Sequence, residues 1–303
     1  MMRKMSSYHN PVLLTESVDG LNITENGIYV DVTFGGGGHS NEILKHLGKK
    51  GRLVAFDQDA EALENKLDDE RFTLINENFR YLKQFLKFYG IQKVDGILAD
   101  FGVSSHQFDT AERGFSTRFE SELDMRMNTK SELSAYDVVN LYEYQDLSNV
   151  LFRYGELRNA KSMARAIIDE RLKEPIKTTL RLKEVLKSYL PQSKEHKIIA
   201  QVYQAIRIEV NQELEAIKEF LKQSVDLLNV GGRLSLISYH SLEDRLAKNF
   251  IRAGKFEGEA EKDFYGNIDV PFKKAGKLII PSREEIAKNN RARSAKLRIA
   301  ERI

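Results

Sequence analysis

The sequence predicts an α/β fold, in which a parallel sheet is covered by helices on both faces and a helical domain interrupts the chain. Short runs of β-branched and aromatic residues alternate with helical spacings at both ends of the 303-residue chain, and the alternation stops between them. Alternating strands and helices are typical of a parallel sheet with helices on both faces. We therefore expect a core over 1–103 and 209–303, with an inserted helical domain over 104–208.

Seven runs predict strands, four before the insertion and three after it. These runs are 28–34, 52–56, 72–75, 94–99, 233–239, 277–280 and 295–300. The spacing of apolar residues predicts the helices. They cover 40–47, 60–67, 79–89, 134–154, 157–173, 178–190, 196–208 and 209–229, and one more begins near Leu242. Ser40 is the expected cap of the first helix, and Gly231 and Gly232 are expected to turn the chain into the fifth strand.

Composition excludes several classes of protein. The chain is 41% hydrophobic, which is enough for a buried core, and it contains no cysteine. Without cysteine there are no disulfides and no cysteine-ligated metals, which fits a reducing, cytoplasmic location. No stretch approaches the roughly 20 apolar residues of a membrane span. The N-terminus lacks the apolar segment of a secretory signal, so we expect a cytoplasmic protein without membrane contact.

A glycine-rich loop follows the first predicted strand and lies between two acidic residues. Asp31 precedes Gly35 to Gly38, and Asp57 closes the second strand. A carboxylate at the end of the second strand can accept both hydroxyls of an adenosine ribose. A nicotinamide cofactor favours G-x-G-x-x-G spacing, whereas these glycines are contiguous. The acid before them suits a cation, so the loop favours S-adenosylmethionine, with a tight turn alone as the alternative.

A second polar edge follows the fourth and fifth strands. Asp100 ends the fourth strand, and it can accept an N–H of an amine substrate, bind the cofactor or cap the next loop. After the fifth strand, Tyr239 can stack on a base and His240 can orient it or carry a proton. The alternative is that Ser241 caps the following helix. His39 is more typical of a capping or packing residue, and we expect no metal because no spaced ligand cluster occurs.

Positive charge is unevenly distributed although the net charge is only +2. Between Arg153 and Lys187 there are ten lysines and arginines against five acidic residues, and four basic residues lie between Arg291 and Arg298 without an acid. Such patches can follow a phosphate backbone, or they can be solvated helix faces.

At these motifs the chain resembles the RsmH (MraW) methyltransferases of bacteria over nearly its whole length. The shared segments are His9 to Leu14, Thr33 to Ser40, Asp57 to Asp59, Val94 to Ser105, Glu112 to Ser116, Leu123 to Met127, Tyr154 to Glu156, Gln204 to Ile208, His240 to Arg245 and Asn290 to Ser294. Phe101 replaces the leucine usual in the family, and the segment between Arg252 and Lys277 lacks its usual Gly-Leu-Pro stretch.

The resemblance implies a Rossmann-like S-adenosylmethionine-dependent core and methylation of N4 of a cytosine in the decoding centre of 16S ribosomal RNA. It implies that the partner is this RNA or the assembled small subunit, and that homodimers form. It also implies cofactor contacts at Gly37, Gly38, His39, Asp57, Phe79, Asp100 and Gln107. Asp100 and His240 are the candidate catalytic residues.

Two other classes of function compete with this interpretation. A nicotinamide dehydrogenase can share such a core, although the glycine spacing argues against it. A non-catalytic RNA-binding chaperone can use the insertion and the basic C-terminal segment, and it would bind RNA without incorporating methyl groups.

Overall fold

The computed structural model describes residues 11–261, 265 and 268–303. The predicted family residues His9 and Asn10, and part of the segment between Arg252 and Lys277, lie outside this range. The chain forms two compact units. The first, which we call the sheet unit, runs to Gly102 and resumes at Leu214, and the second, the helical unit, is Val103–Glu213.

The sheet unit contains one seven-stranded sheet within the described residues. Its strands are β1 (Ile28–Asp31), β2 (Arg52–Phe56), β3 (Phe72–Ile75), β4 (Val94–Asp100), β5 (Leu228–Ser238), β6 (Phe272–Lys274) and β7 (Lys296–Arg302). The strand order is β3-β2-β1-β4-β5-β7-β6. The first five strands are parallel, whereas β7 pairs antiparallel with β5 and β6. The expected Rossmann-like α/β core is confirmed, but the sheet is mixed rather than all-parallel.

Helices of the sheet unit follow its strands. They are α1 (Leu14–Asp19), α2 (Gly38–His46) and α3 (Leu82–Phe88), with 3-10 turns at Ala60–Asn65 and Phe79–Tyr81. The predicted helices at 60–67 and 79–89 were therefore wrong in type or extent. The first has only a 3-10 turn, in which the side chain of Asp59 accepts the N–H of Glu61. The second begins as a 3-10 turn capped by Asn78.

The helical unit is built on six helices among the described residues. They are α4 (Ser105–Asp109), α5 (Ala135–Leu141), α6 (Tyr144–Arg153), α7 (Ala160–Arg171), α8 (Thr179–Val185) and α9 (Glu195–Asn211). One contiguous hydrophobic cluster fills this unit, and Met163, Ile167, Val202 and Ile206 lie at its fully buried centre. Helical spacing on α7 and α9 directs these side chains to one face. The unit therefore has a core of its own.

The C-terminal part of the chain differs most from the expectation. Its helices are α10 (Glu213–Leu227), α11 (Ser241–Ala253) and α12 (Arg283–Lys288). The helix predicted to end at residue 208 is longer, because α9 continues to Asn211 and Gln212 ends it with a φ of 49°. The strand β5 begins at Leu228, before the two glycines, and 277–280 contributes only an isolated bridge from Ile279 to Leu297. No helix in the described ranges has the length and apolar composition to cross a membrane.

The sheet brings its predicted polar residues to one edge. In a parallel sheet the carboxyl ends of neighbouring strands meet, and ligands bind outside them. Asp31 ends β1, Asp57 follows β2, Asp100 ends β4 and Tyr239 follows β5. Because β2, β1, β4 and β5 are consecutive neighbours, these four residues share the carboxyl edge of the sheet.

Candidate active site

The loop after β1 has the backbone conformation that its glycines permit. Gly35 and Gly37 have φ values of 51° and 77°, in the left-handed region, and Gly37 is the N-cap of α2. The prediction that Ser40 caps this helix was wrong. Ser40 lies inside the helix, fully buried, and its hydroxyl donates a 2.7 Å hydrogen bond to Asp31 Oδ2. The serine therefore orients the carboxylate of Asp31 instead of closing the helix.

The glycine backbone is closely packed on its protein side. A Cβ atom at Gly37 would lie 2.9 Å from ring atoms of Phe34, and one at Gly38 would overlap the ring of Pro11. Side chains at these two positions are thus excluded, which leaves the backbone bare. Backbone N–H groups at the start of a helix attract electron-rich groups of a ligand. The loop forms a cradle that can approach a ligand closely.

Replacing Gly37 by alanine tests this cradle, with Gly90→Ala as the matched control. Both residues have positive φ, 77° and 72°, but a Cβ at Gly90 meets no atom within 4 Å. We expect Gly90→Ala to cost about 1 kcal/mol of unfolding free energy from backbone strain alone. Gly37→Ala should cost more and should also weaken S-adenosylmethionine binding, measured by thermal unfolding and calorimetry. Equal losses and unchanged binding would contradict a cradle at Gly37.

Asp57 lies between the glycine loop and β2, half-buried. Its Oδ2 accepts the N–H of Gly35 at 2.7 Å, and its Oδ1 accepts the N–H of Asp59 at 2.9 Å. Burial raises the pKa of Asp57 to about 6, against the effect of these two hydrogen bonds, and the nearby charges of Asp59 and Asp31 raise it further. The carboxylate is therefore rigid, with lone pairs left to accept ligand hydroxyls.

Asp100 and Asp31 lie close together in the adjacent strands β4 and β1. The backbone N–H of Asp100 donates a 2.7 Å hydrogen bond to Thr33 Oγ1, which joins the two strand ends. Burial raises the pKa of Asp100 to about 6, and the charges of Asp31 and Glu243 act in the same direction. Burial also raises the pKa of Asp31, although His39 and the bond from Ser40 oppose this. Acidic groups held this closely favour a cationic ligand.

One oxygen of Asp100 is an acceptor without a protein donor. Oδ1 of Asp100 is buried and has no hydrogen-bond partner in the part of the chain that the structure describes. An unsatisfied buried acceptor of this kind costs about 1–3 kcal/mol. A ligand that brings an N–H group to this atom would remove the cost. Asp100 is thus directed at a donor, such as an amine or an ammonium group.

Tyr239 has a contact that sequence reasoning missed. Burial together with the charge of the neighbouring Asp100 raises the pKa of Tyr239 well above its usual value. The buried Glu243 in turn accepts the backbone N–H of Tyr239 at 2.8 Å. Tyr239 is therefore held at this edge as an electrostatic neighbour of Asp100. The His-x-x-Glu spacing of a capping box was the available signal for Glu243.

His240 is the N-cap of α11, so Ser241 does not have the capping role considered for it. His240 Nδ1 accepts the N–H of Glu243 at 3.4 Å, while His240 Nε2 lies 3.1 Å from Glu243 Oε1. Both ring nitrogens of His240 are therefore directed toward Glu243, which lies in the first turn of α11.

The other predicted residues have different surroundings. His39 is buried in α2, and its Nε2 lies 3.2 Å from the carbonyl oxygen of Val12. Phe79 is half-buried after β3, with its ring centroid 6.2 Å from Phe101 and 5.6 Å from Phe220. The unusual Phe101 is thus part of an aromatic cluster. Gln107 belongs to the helical unit, where it closes the capping box of α4 with Ser104.

The raised pKa values predict that cofactor affinity depends on pH. Asp57 and Asp100 have pKa values of about 6, so lowering the pH from 7.5 to 5 protonates both and removes the charges that attract a cation. Because folding raises the pKa of both carboxyl groups, their protonation also stabilises the ligand-free protein as the pH falls from 6 toward 4. At low pH the cofactor therefore binds a neutral site in a protein that is already more stable. We therefore expect S-adenosylmethionine to raise the melting temperature less at pH 5 than at pH 7.5. An equal rise at both pH values would contradict this account.

The residues at this edge fit S-adenosylmethionine. The bare glycine backbone, the ribose-type acceptor Asp57 and the acidic pair Asp31 and Asp100 match an adenosyl ligand with two positive charges and no phosphate. The unsatisfied Oδ1 of Asp100 matches an N–H donor at the reacting end. This fold and this site define the class of S-adenosylmethionine-dependent methyltransferases.

Residues 6–303 match the model of the MraW methylase family. The chain therefore belongs to the MraW methylase family. This membership excludes the dehydrogenase alternative.

Several curated proteins are similar to the chain over their full length. A protein of Flavobacterium johnsoniae named ribosomal RNA small subunit methyltransferase H is 67% identical over 302 residues, which is 100% of both chains. A protein of the same name from Bacteroides thetaiotaomicron is 53% identical over 297 residues, or 98% of both.

A solved structure is also similar, but more distantly. A putative rRNA methylase from Clostridium thermocellum has a TM-score of 0.46 and 13% identity, covering 97% of both chains.

Proposed function

We propose that this protein transfers a methyl group from S-adenosylmethionine to the exocyclic N4 amine of a cytosine in the decoding centre of 16S ribosomal RNA. The observation that carries the proposal is the buried, unsatisfied Oδ1 of Asp100 at the end of β4. An acceptor at this position suits an amine substrate. The relatives named ribosomal RNA small subunit methyltransferase H support RNA of the small subunit as the substrate, either free or assembled.

Asp100 acts as the base. S-adenosylmethionine supplies an electrophilic methyl group when bound. The lone pair of a cytosine amine is delocalised into the ring, and an acceptor bonded to one of its N–H groups localises that pair on nitrogen. As the N–C bond forms and the C–S bond breaks, the amine proton passes to Asp100. A base with a pKa of about 6 accepts a proton near neutral pH better than an ordinary aspartate.

The remaining predicted residues hold the cofactor. Gly37 and Gly38 provide bare backbone, Asp57 accepts ribose hydroxyls, and Phe79 offers a half-buried ring. His39 and Gln107 are cofactor contacts that the family resemblance implies. Tyr239 is a positioning residue, because its buried side chain is an electrostatic neighbour of Asp100.

Replacing His240 by asparagine separates a catalytic role from a capping role. Asparagine is a good N-cap, so the variant keeps α11 capped and should retain the wild-type melting temperature. If His240 orients the base or carries a proton, as predicted, methyl transfer should fall about 10²-fold or more. A wild-type rate in steady-state kinetics would show that His240 is only a cap.

The proposal predicts the modification state of ribosomal RNA in cells. Small-subunit RNA from a strain lacking this gene should contain no N4-methylated cytosine at the decoding centre, and the wild-type gene should restore it. Nucleoside mass spectrometry measures both. Retention of the modified base in the deletion strain would refute the proposed substrate. A cytoplasmic location and a homodimer stay predictions, and fractionation and light scattering test them.

A further inference from the structure

The helical unit contains a cavity of about 400 Å³ that no residue of the sheet unit lines. Its polar lining comes from Tyr142, Asp146, Asn149, Arg153, Tyr154 and Glu209. This volume is in the range of small-ligand pockets, which combine aromatic walls with a few directed polar groups. The cavity lies entirely within the helical unit, so a single packed body shapes it.

Helical periodicity explains why these side chains converge. Asp146, Asn149 and Arg153 are spaced three and four residues apart on α6, which places them on one face of that helix. Glu209 reaches the cavity from α9, and its Oε1 accepts the hydroxyl of Tyr142 at 2.7 Å. The two tyrosine rings that line the cavity also pack against the core of this unit, which anchors them. The tyrosine rings are therefore fixed, whereas the side chains of Asp146 and Arg153 are exposed.

The polar groups of the cavity are rich in hydrogen-bond acceptors. The carboxylates of Asp146 and Glu209 can only accept when ionised, and the hydroxyl hydrogen of Tyr142 is already donated to Glu209. A base edge that presents two adjacent donors fits such a lining. Among the four RNA bases, guanine presents N1–H and N2–H side by side, which one carboxylate can accept together. Aromatic rings in turn stack on unpaired bases.

Arg153 of this lining is followed along the chain by three further exposed cations. Arg153, Arg158, Lys161 and Arg165 are exposed, and none of them has an ion-pair partner in the described ranges. The guanidinium of Arg165 lies 4.8 Å above the ring of Tyr144, the first residue of α6, which holds α7 against α6. Exposed cations on the same unit as a base-sized pocket are typical of proteins that follow the phosphates of a nucleic acid strand.

We infer that this cavity, which we call the α6–α9 pocket, binds the guanine base of an unpaired nucleotide in an RNA strand. Asp146 or Glu209 accepts the N1–H and N2–H donors, a tyrosine ring covers the base, and Arg153 contacts phosphate. The inference rests on the proposed function for its RNA substrate. It adds a guanine-specific site built only from residues of the helical unit.

Short RNA strands test the pocket directly on the full-length protein. The strand UUUGUUU is compared with UUUIUUU, in which inosine lacks only the N2 amine, by fluorescence anisotropy. We expect the guanine strand to bind at least about fivefold more tightly, because a matched bidentate contact is worth about 1–3 kcal/mol of discrimination. Equal affinity for the two strands would overturn the inference.

Variants locate the discrimination. The pair Asp146→Asn and Glu209→Gln removes the two carboxylates while keeping side-chain size, and an amide oxygen remains to accept the hydroxyl of Tyr142. The double variant should lose the preference for guanine over inosine. The control Asp169→Asn changes an exposed acid on α7 and should keep that preference. Discrimination that survives in the double variant would place guanine recognition elsewhere and refute the pocket.

The outcome is separable from that of the proposed function. S-adenosylmethionine affinity, measured by calorimetry, should be the same for the wild type and the double variant, whereas the KM for small-subunit RNA should rise in the variant. A wild-type protein that methylates this RNA but does not distinguish guanine from inosine would refute the pocket alone. A wild-type protein that methylates no such RNA would refute the proposed function instead.

Discussion

Replacing Asp100 by asparagine is expected to lower the rate of methyl transfer by about 10²–10⁴, the range typical of a lost general base. Asparagine keeps the size of the side chain, but its amide cannot take a proton. Burial raises the pKa of Asp100, so its charge opposes folding at neutral pH. The unfolding free energy of the variant should therefore be no lower than that of the wild type. Rapid-quench kinetics and thermal unfolding measure the two quantities.

Asp95 is the matched control for Asp100, because it lies in the same strand near its opposite end. Its Oδ2 accepts the N–H of Ile28 at 2.8 Å, and its Oδ1 accepts Nδ2 of Asn229 at 2.8 Å. In Asp95→Asn the new amide N–H group would face one of these two N–H donors instead of accepting its hydrogen bond. The change should therefore cost about 1–3 kcal/mol of unfolding free energy. The folded variant should keep its rate of transfer. A rate for Asp100→Asn within a few-fold of wild type would exclude Asp100 as the base.

Replacing Asp57 by alanine is expected to weaken S-adenosylmethionine binding by ~1.5–3 kcal/mol, or about 10- to 150-fold in Kd. The change removes the carboxylate that would accept the ribose hydroxyls, and it leaves the N–H groups of Gly35 and Asp59 without their acceptor. The glycine loop should therefore also become less rigid. Isothermal calorimetry at pH 7.5, where the wild-type carboxylate is ionised, measures the effect.

Asp69→Ala provides the comparison for Asp57. Asp69 lies just before β3, at the amino edge of the sheet, and its carboxylate is paired with Arg71 at 2.6 Å. This pair is partly exposed, so its loss should change stability only slightly. The Kd for S-adenosylmethionine should match that of the wild type. If both aspartate variants bind equally well, Asp57 does not contact the cofactor.

The parts of the fold that follow from local pattern were predictable. The strands β2 and β3 match the predicted 52–56 and 72–75, because each is a short apolar run bounded by acids or turns. The acids at strand ends were visible for the same reason. The direction in which β7 pairs could not be predicted from the sequence. Its pattern of apolar and polar residues does not differ from that of a parallel strand. Its antiparallel pairing with β5 depends on the path of the chain between them.

Other features depend on contacts between residues far apart in the chain. Ser40 has the sequence position of a cap, but Asp31 binds its hydroxyl inside the helix. Tyr239 and Asp100 are electrostatic neighbours although more than a hundred residues separate them in the chain, so spacing could not reveal this proximity. At Gln212, no glycine or proline marks the left-handed residue that separates α9 from α10. The α6–α9 pocket likewise joins α6 to a distant helix.

The central claim is that the methyl group is transferred to a cytosine amine under the control of Asp100. The most direct measurement incubates the purified protein with methyl-labelled S-adenosylmethionine and unmodified small-subunit ribosomal RNA, followed by nucleoside mass spectrometry. We expect the label in N4-methylated cytidine with the wild type, and none within the same time with Asp100→Asn. Label in any other nucleoside, or in none, from protein that binds the cofactor would contradict the account.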